Sequence, residues 1–136
     1  MHRITAFLVA LAAAAASLAQ AAPTASVLVL GPPDGVLARG PGAEGMACPD
    51  GTGRPPHLRA VRDAQRRAAA REGWVFWDWS ERMGGECSIA SWVRETPPLA
   101  MPDHVHLRSA GYRRIADALM RDVMARYDAT AGARGR

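Results

Sequence analysis

A chain of 136 residues fits one domain and can bury roughly two thirds of its unfolded surface, enough for a real hydrophobic core. Its 17 basic residues are all arginine, give a net charge of +4, and are spread along two predicted helices and a tail. Without clustering beside aromatics on one face they do not make a nucleic-acid surface, and the composition implies no cofactor.

The N-terminus has the pattern of a targeting segment. Met1-His2-Arg3 is a short positive start, Ile4 to Leu18 is uncharged and apolar, and Ala19-Gln20-Ala21 is a small-x-small cleavage site. A signal peptide over 1–21, cleaved after Ala21, is the expectation, and it sends the protein to the periplasm or outside the cell. Two readings compete with it. A membrane anchor is opposed by the alanine-dominated, barely spanning length and the lack of a basic stop-transfer flank. A domain helix over Phe7 to Ala21 would instead lead into a strand after Pro23. The two cysteines, Cys48 and Cys87, fit export. In an oxidising compartment they would close a loop of about 40 residues, a stabilisation of about 3–4 kcal/mol on the chain-entropy estimate. Two separate buried thiols are the plainer alternative. A zinc site on the pair is disfavoured, because no further cysteine or His-x-x-His spacing accompanies them.

In chain order, Ser26 to Leu30 is a short β-branched, apolar run stopped by Gly31-Pro32-Pro33, which predicts a buried parallel strand. Asp34 to Pro56 is rich in Gly and Pro, has no period, and is long enough to be a functional excursion or a flexible insert rather than a turn. His57 to Glu72 predicts a surface helix with apolar Leu58, Val61 and Ala64, closed by Gly73. Trp74 to Trp79 predicts a second strand covered on both faces. A loop over Met83 to Glu86 precedes a helix from Cys87 to Arg94, which Pro97-Pro98 ends. The last helix starts from Ser109 as its cap. Tyr112, Ile115, Ala116, Leu119, Met120, Val123, Met124 and Tyr127 form a stripe that should face a sheet, with arginines 113, 114, 121 and 126 outside. The tail 129–136 is expected to fray. Strand, helix, strand, helix order predicts an α/β layered fold with parallel strands.

The chemistry concentrates in Asp103-His104-Val105-His106. A neutral imidazole accepts a proton from a hydroxyl nucleophile when its other nitrogen is held in the right tautomer, and a carboxylate three residues earlier on a tight loop can hold it. Asp103 would then orient His106. Other readings stay open. Asp103 and the two histidines can be ordinary loop residues, with Asp103 closing a turn on its own backbone. His104 and His106 are also spaced as a metal pair, although only His57 and His2 remain as further histidines. Trp74, Trp77, Trp79 and Trp92 are core residues before they are a saccharide-stacking face. Arg108 can meet an anionic substrate or simply solvate the start of a helix.

Asp103-His104-Val105-His106-Leu107, continued by Ser109-Ala110-Gly111-Tyr112, resembles the Asp-x-x-His block that closes SGNH (GDSL-like) ester hydrolases. Val27 to Asp34, Phe76-Trp77-Asp78, Met83-Gly84-Gly85 and Cys87-Ser88-Ile89 are similar to stretches of bacterial extracytoplasmic members. The resemblance covers Ala22 to Tyr127. It implies a three-layer α/β/α sandwich, incomplete here, over residues 22–128, with Asp103 and His106 as acid and base of a Ser-His-Asp triad. It also implies small acyl esters as substrates, including acetyl groups on cell-envelope saccharides. The family's Gly-Asp-Ser block is absent, and so is any Asn to supply the oxyanion donor. Ser17, Ser26, Ser80, Ser88, Ser91 and Ser109 all lack the nucleophile's sequence context. The expectation is therefore a C-terminal portion that carries the Asp/His half of the machinery; the alternative is a non-catalytic exported remnant or a saccharide-binding module.

Overall fold

The computed structural model describes residues 17, 20–21, 25–37 and 47–134. Most of the signal segment expected over 1–21 lies outside the described residues, as does the middle of the 34–56 loop. Among the described residues no helix is long and apolar enough to cross a membrane.

The architecture is α/β around a two-stranded parallel sheet. Strand β1 (Leu28–Leu30) runs beside β2 (Val75–Trp77), with Leu28 opposite Val75 and Leu30 opposite Trp77. The pairing continues one residue further, where Gly31 N donates to Trp77 O at 2.9 Å. A Cβ on Gly31 would lie 2.6 Å from the tip of the Phe76 ring, which would have to move aside. Between the strands, helix α1 (Leu58–Arg71) crosses over and packs on both. It ends as the glycine predicted: Gly73 has φ +69°, Trp74 N donates to Ala69 O and Gly73 N to Ala70 O, the paired bonds of a Schellman cap.

Several sequence expectations need correction. Strand β1 is not buried, for Leu28 and Leu30 are 40% and 41% exposed. A parallel strand is buried only when helices cover both faces of the sheet, and α1 with β2 supplies its main packing here. Strand β2 stops at Trp77 rather than Trp79. The Asp78 carboxylate accepts from Glu81 N at 3.1 Å and caps a short helix, α2 (Trp79–Met83), so local capping overrides the aromatic run. Helix α3 (Ile89–Arg94) begins two residues later than expected, because Cys87 has a left-handed φ of +69°.

The last helix, α4 (Ser109–Arg134), contains Ser109 as its first residue and continues to Arg134, so the tail expected to fray from 129 is helical that far. Thr130 Oγ1 donates back to Tyr127 O within it. Its apolar stripe does not dock on the sheet. Ile115 is buried and Leu119 half-buried, whereas Tyr112, Met120, Val123, Met124 and Tyr127 are exposed. The helix packs mainly on α2, fastened by Trp77 Nε1 donating to Asp122 and by Arg82 pairing with the same carboxylate, each at 2.8 Å.

The core lies between these elements and the 99–107 loop. Val36, Trp77, Met83, Ile89, Trp92, Leu99, Ala100, Leu107 and Ile115 form one buried cluster with Cys48, and Trp92 Nε1 finds Met83 O at 2.9 Å. Cys48 and Cys87 are joined in a disulfide, which closes the second of the two readings left open above.

Candidate active site

Backbone pairing across the ends of a short excursion builds the Asp103-His106 loop. Ala100 and Leu107 form an antiparallel bridge, Arg108 N donates to Leu99 O at 2.8 Å, and Met101 N donates to His106 O at 2.7 Å. Leu107 turns into the core while its neighbours face solvent. The first turn of α4 then presses against the same strand of chain: a Cβ on Gly111 would fall 2.2 Å from Leu99 O, so only glycine fits. Thus Leu107 and Gly111 of the sequence block have packing reasons. Nothing in the structure explains Tyr112, which is exposed.

At the tip, one carboxylate organises the turn. Asp103 Oδ1 accepts from Val105 N at 2.9 Å and His106 N at 3.0 Å, and Oδ2 meets His106 Nδ1 at 2.8 Å. The two backbone donors are the turn closure that the plainer reading of Asp103 required, and the side-chain bond adds the oriented imidazole. These bonds, the backbone His106 N–H foremost, hold the Asp103 carboxyl down at about 2, so it is a carboxylate throughout the neutral range. The His106 side chain is 73% exposed and makes no other hydrogen bond among the described residues, which leaves Nε2 open for a reacting group. His104, with φ +58°, points its carbonyl inward to accept from Val36 N at 3.1 Å. Among the described residues no three His, Cys, Asp or Glu side chains converge as metal ligands.

The serines near this half of the molecule are engaged elsewhere. Ser80 is buried and accepts from Arg62 at 3.0 Å, Ser88 Oγ donates to Asp34 at 3.4 Å, and Ser91 Oγ donates to Ser88 O at 2.7 Å. Asp34 itself, which the sequence placed only at the end of the family-like stretch Val27 to Asp34, is a buried acid. It accepts from Cys87 N at 3.3 Å and Ile89 N at 2.9 Å, and so ties the segment leaving β1 to the start of α3. A second polar centre was also missed. Glu86 receives Arg54 at 2.5 Å, Arg59 at 2.6 Å and Arg62 at 3.3 Å, and the bond from Arg59 above all lowers its carboxyl to about 2. The three-residue spacing of Arg59 and Arg62 on one helix face is the only local signal of it.

An exposed imidazole fixed by a carboxylate, beside the segment that leaves the carboxyl end of β1, can take a proton from a hydroxyl group and return it. The chain is similar to a solved structure of a peptidoglycan O-acetylesterase in action, with a TM-score of 0.73 and 29% sequence identity over 90% of this chain. It spans 32% of that chain's length. No protein-family model matches the sequence, and no curated protein does.

Proposed function

We propose that this chain supplies the Asp/His half of an SGNH-type ester hydrolase that removes acetyl groups from cell-envelope saccharides outside the cytoplasm. The observation that carries the reading is the Asp103-His106 bond at 2.8 Å on an exposed loop, within a chain similar to a peptidoglycan O-acetylesterase. In this reading residues 22–128 contribute strands and helices to a three-layer α/β/α sandwich, and a segment outside the chain brings the Gly-Asp-Ser nucleophile and the oxyanion donors. The disulfide supports an oxidising compartment.

The steps assigned to this chain are limited to proton handling. Asp103 keeps Nδ1 of His106 protonated, so Nε2 carries the lone pair that takes the serine proton as the hydroxyl attacks the acetyl carbon. The imidazolium so formed is stabilised by Asp103 and returns the proton to the departing sugar oxygen. Water then repeats the cycle and releases acetate.

The test is aryl acetate hydrolysis by the 136-residue chain alone and mixed with a segment that carries a Gly-Asp-Ser block. Alone, the chain is expected to match its His106→Ala variant, because losing the nucleophile costs a triad on the order of 10^6 in turnover. The mixture should gain activity that both His106→Ala and Asp103→Ala remove. Activity of the chain alone that His106→Ala abolishes would locate the nucleophile within it and defeat the split assignment. A mixture whose rate ignores both variants would defeat the ester-hydrolase reading.

A further inference from the structure

A cavity of about 220 Å³ opens between the segment leaving β1, the chain entering α1, and Glu86; Asp34, Gly35, Arg54, Arg59 and Arg62 complete its main walls. Three guanidiniums converge on the single Glu86 carboxylate. The other acid of the wall, Asp34, is committed to Cys87 N, Ile89 N and the Ser88 hydroxyl. In the wall itself three arginines face two acids, with Asp78 behind Arg62. Helix α1 adds positive potential, since its N-terminal end has no acidic residue in the first turn and His57 provides no side-chain cap. Arg59, in that first turn, keeps its side chain 65% exposed. Its Nε and Nη2 are given to Glu86 at 2.6 and 2.7 Å, so a second carboxylate approaching from solvent would meet the outer edge of the guanidinium, at Nη1. Deeper in, Arg62 Nε is buried without a hydrogen-bond partner among the described residues, 4.0 Å from Asp78.

The cavity adjoins the Asp103-His106 loop through one stretch of backbone. Gly35 forms part of its wall, and the next residue, Val36, holds the His104 carbonyl at 3.1 Å. We propose that this cavity binds a carboxylate of the saccharide, so that the substrate class is an O-acetylated sugar acid anchored by its acid group beside the reacting ester. This rests on the function proposed above. The anchoring acts in binding alone: the carboxylate exchanges water for guanidinium N–H donors, and no bond is made or broken.

Calorimetric titration of the full chain tests it with two probes, an oligogalacturonate and the neutral galactose oligomer of the same length. The acid should bind at least about tenfold more tightly than the neutral sugar, the effect of one good charge-assisted bond. Arg59→Gln should bring the acid to the neutral level, while Arg121→Gln, which removes the same charge from α4, should not. Arg59→Lys, which keeps charge and loses the fork, should fall between. Equal affinity of the wild-type chain for both sugars, no binding of either, or equal weakening by Arg59→Gln and Arg121→Gln would each overturn the proposal. The comparison of the two sugars on the wild-type chain holds even if a variant folds poorly. Since binding needs no nucleophile, Arg59-dependent binding without His106-dependent hydrolysis in the reconstitution would keep the anion site and overturn the esterase reading instead.

Discussion

Two parts of the molecule solve their packing differently. From Met83 to Leu107 the chain is tied at several points: Ile89, Trp92, Leu99 and Ala100 are buried, the Cys48-Cys87 disulfide crosses into it, and Asp34 and the arginines that meet Glu86 bind it from distant segments. Strand β1 and the outer stripe of α4 also carry apolar side chains but leave them largely exposed, at Leu28, Leu30, Met120, Val123, Met124 and Tyr127. The loop with Asp103 and His106 grows from the first part. A proton relay must be held to within a fraction of an ångström, and such tolerance requires a support whose own positions are over-determined by packing and hydrogen bonds. The bare stripe of α4 asks nothing of the loop's geometry.

The sharpest way to break this contrast is to cut the staple. Replacing Cys48 and Cys87 together by serine should destabilise the chain by about 3–4 kcal/mol, as expected for opening a loop of this size, and lower the thermal midpoint clearly in a melting experiment. An unchanged midpoint would mean that the tied region does not need its disulfide.

A smaller effect should appear with pH. The folded state holds the Glu86 carboxyl at about 2 against an ordinary 4.5, chiefly through the bond from Arg59. A depressed folded pKa means that the unfolded chain binds more protons in between, so this contribution is complete above the ordinary value and is lost as pH falls toward the folded one. Urea midpoints should decline over that acid window, and Glu86→Gln should flatten the decline while lowering the plateau at neutral pH. Equal slopes for both proteins would remove Glu86 from the set of groups that matter.

The smallest effect belongs to the bare face. Met124→Ser on α4 should change stability by no more than about 0.5 kcal/mol, the usual range for a surface site. A larger loss in the same urea titrations would show that the exposed stripe packs against something after all, and would erase the contrast between the two regions.

What the sequence determined by itself is what short-range geometry determines. Asp103 and His106 stand three residues apart, so the turn that brings them together is closed by their own backbone, and the pairing was legible before any fold was known. Gly73 ends α1 for an equally local reason, the left-handed φ of its cap. The two cysteines pointed to a possible bridge by number and compartment, but only the closed chain brings Cα atoms 39 residues apart in sequence to 5.7 Å. Tertiary structure alone decided the rest. Asp34 reaches amides 53 and 55 residues onward, and Arg59 meets Glu86 across 27, at separations where no period or spacing in the chain signals a contact. It also decided which apolar residues are inside. Tyr112, Met120 and Met124 recur at helical spacing just as Ile115 does, yet burial depends on whether another element lies opposite, and periodicity records only the face, not its neighbour.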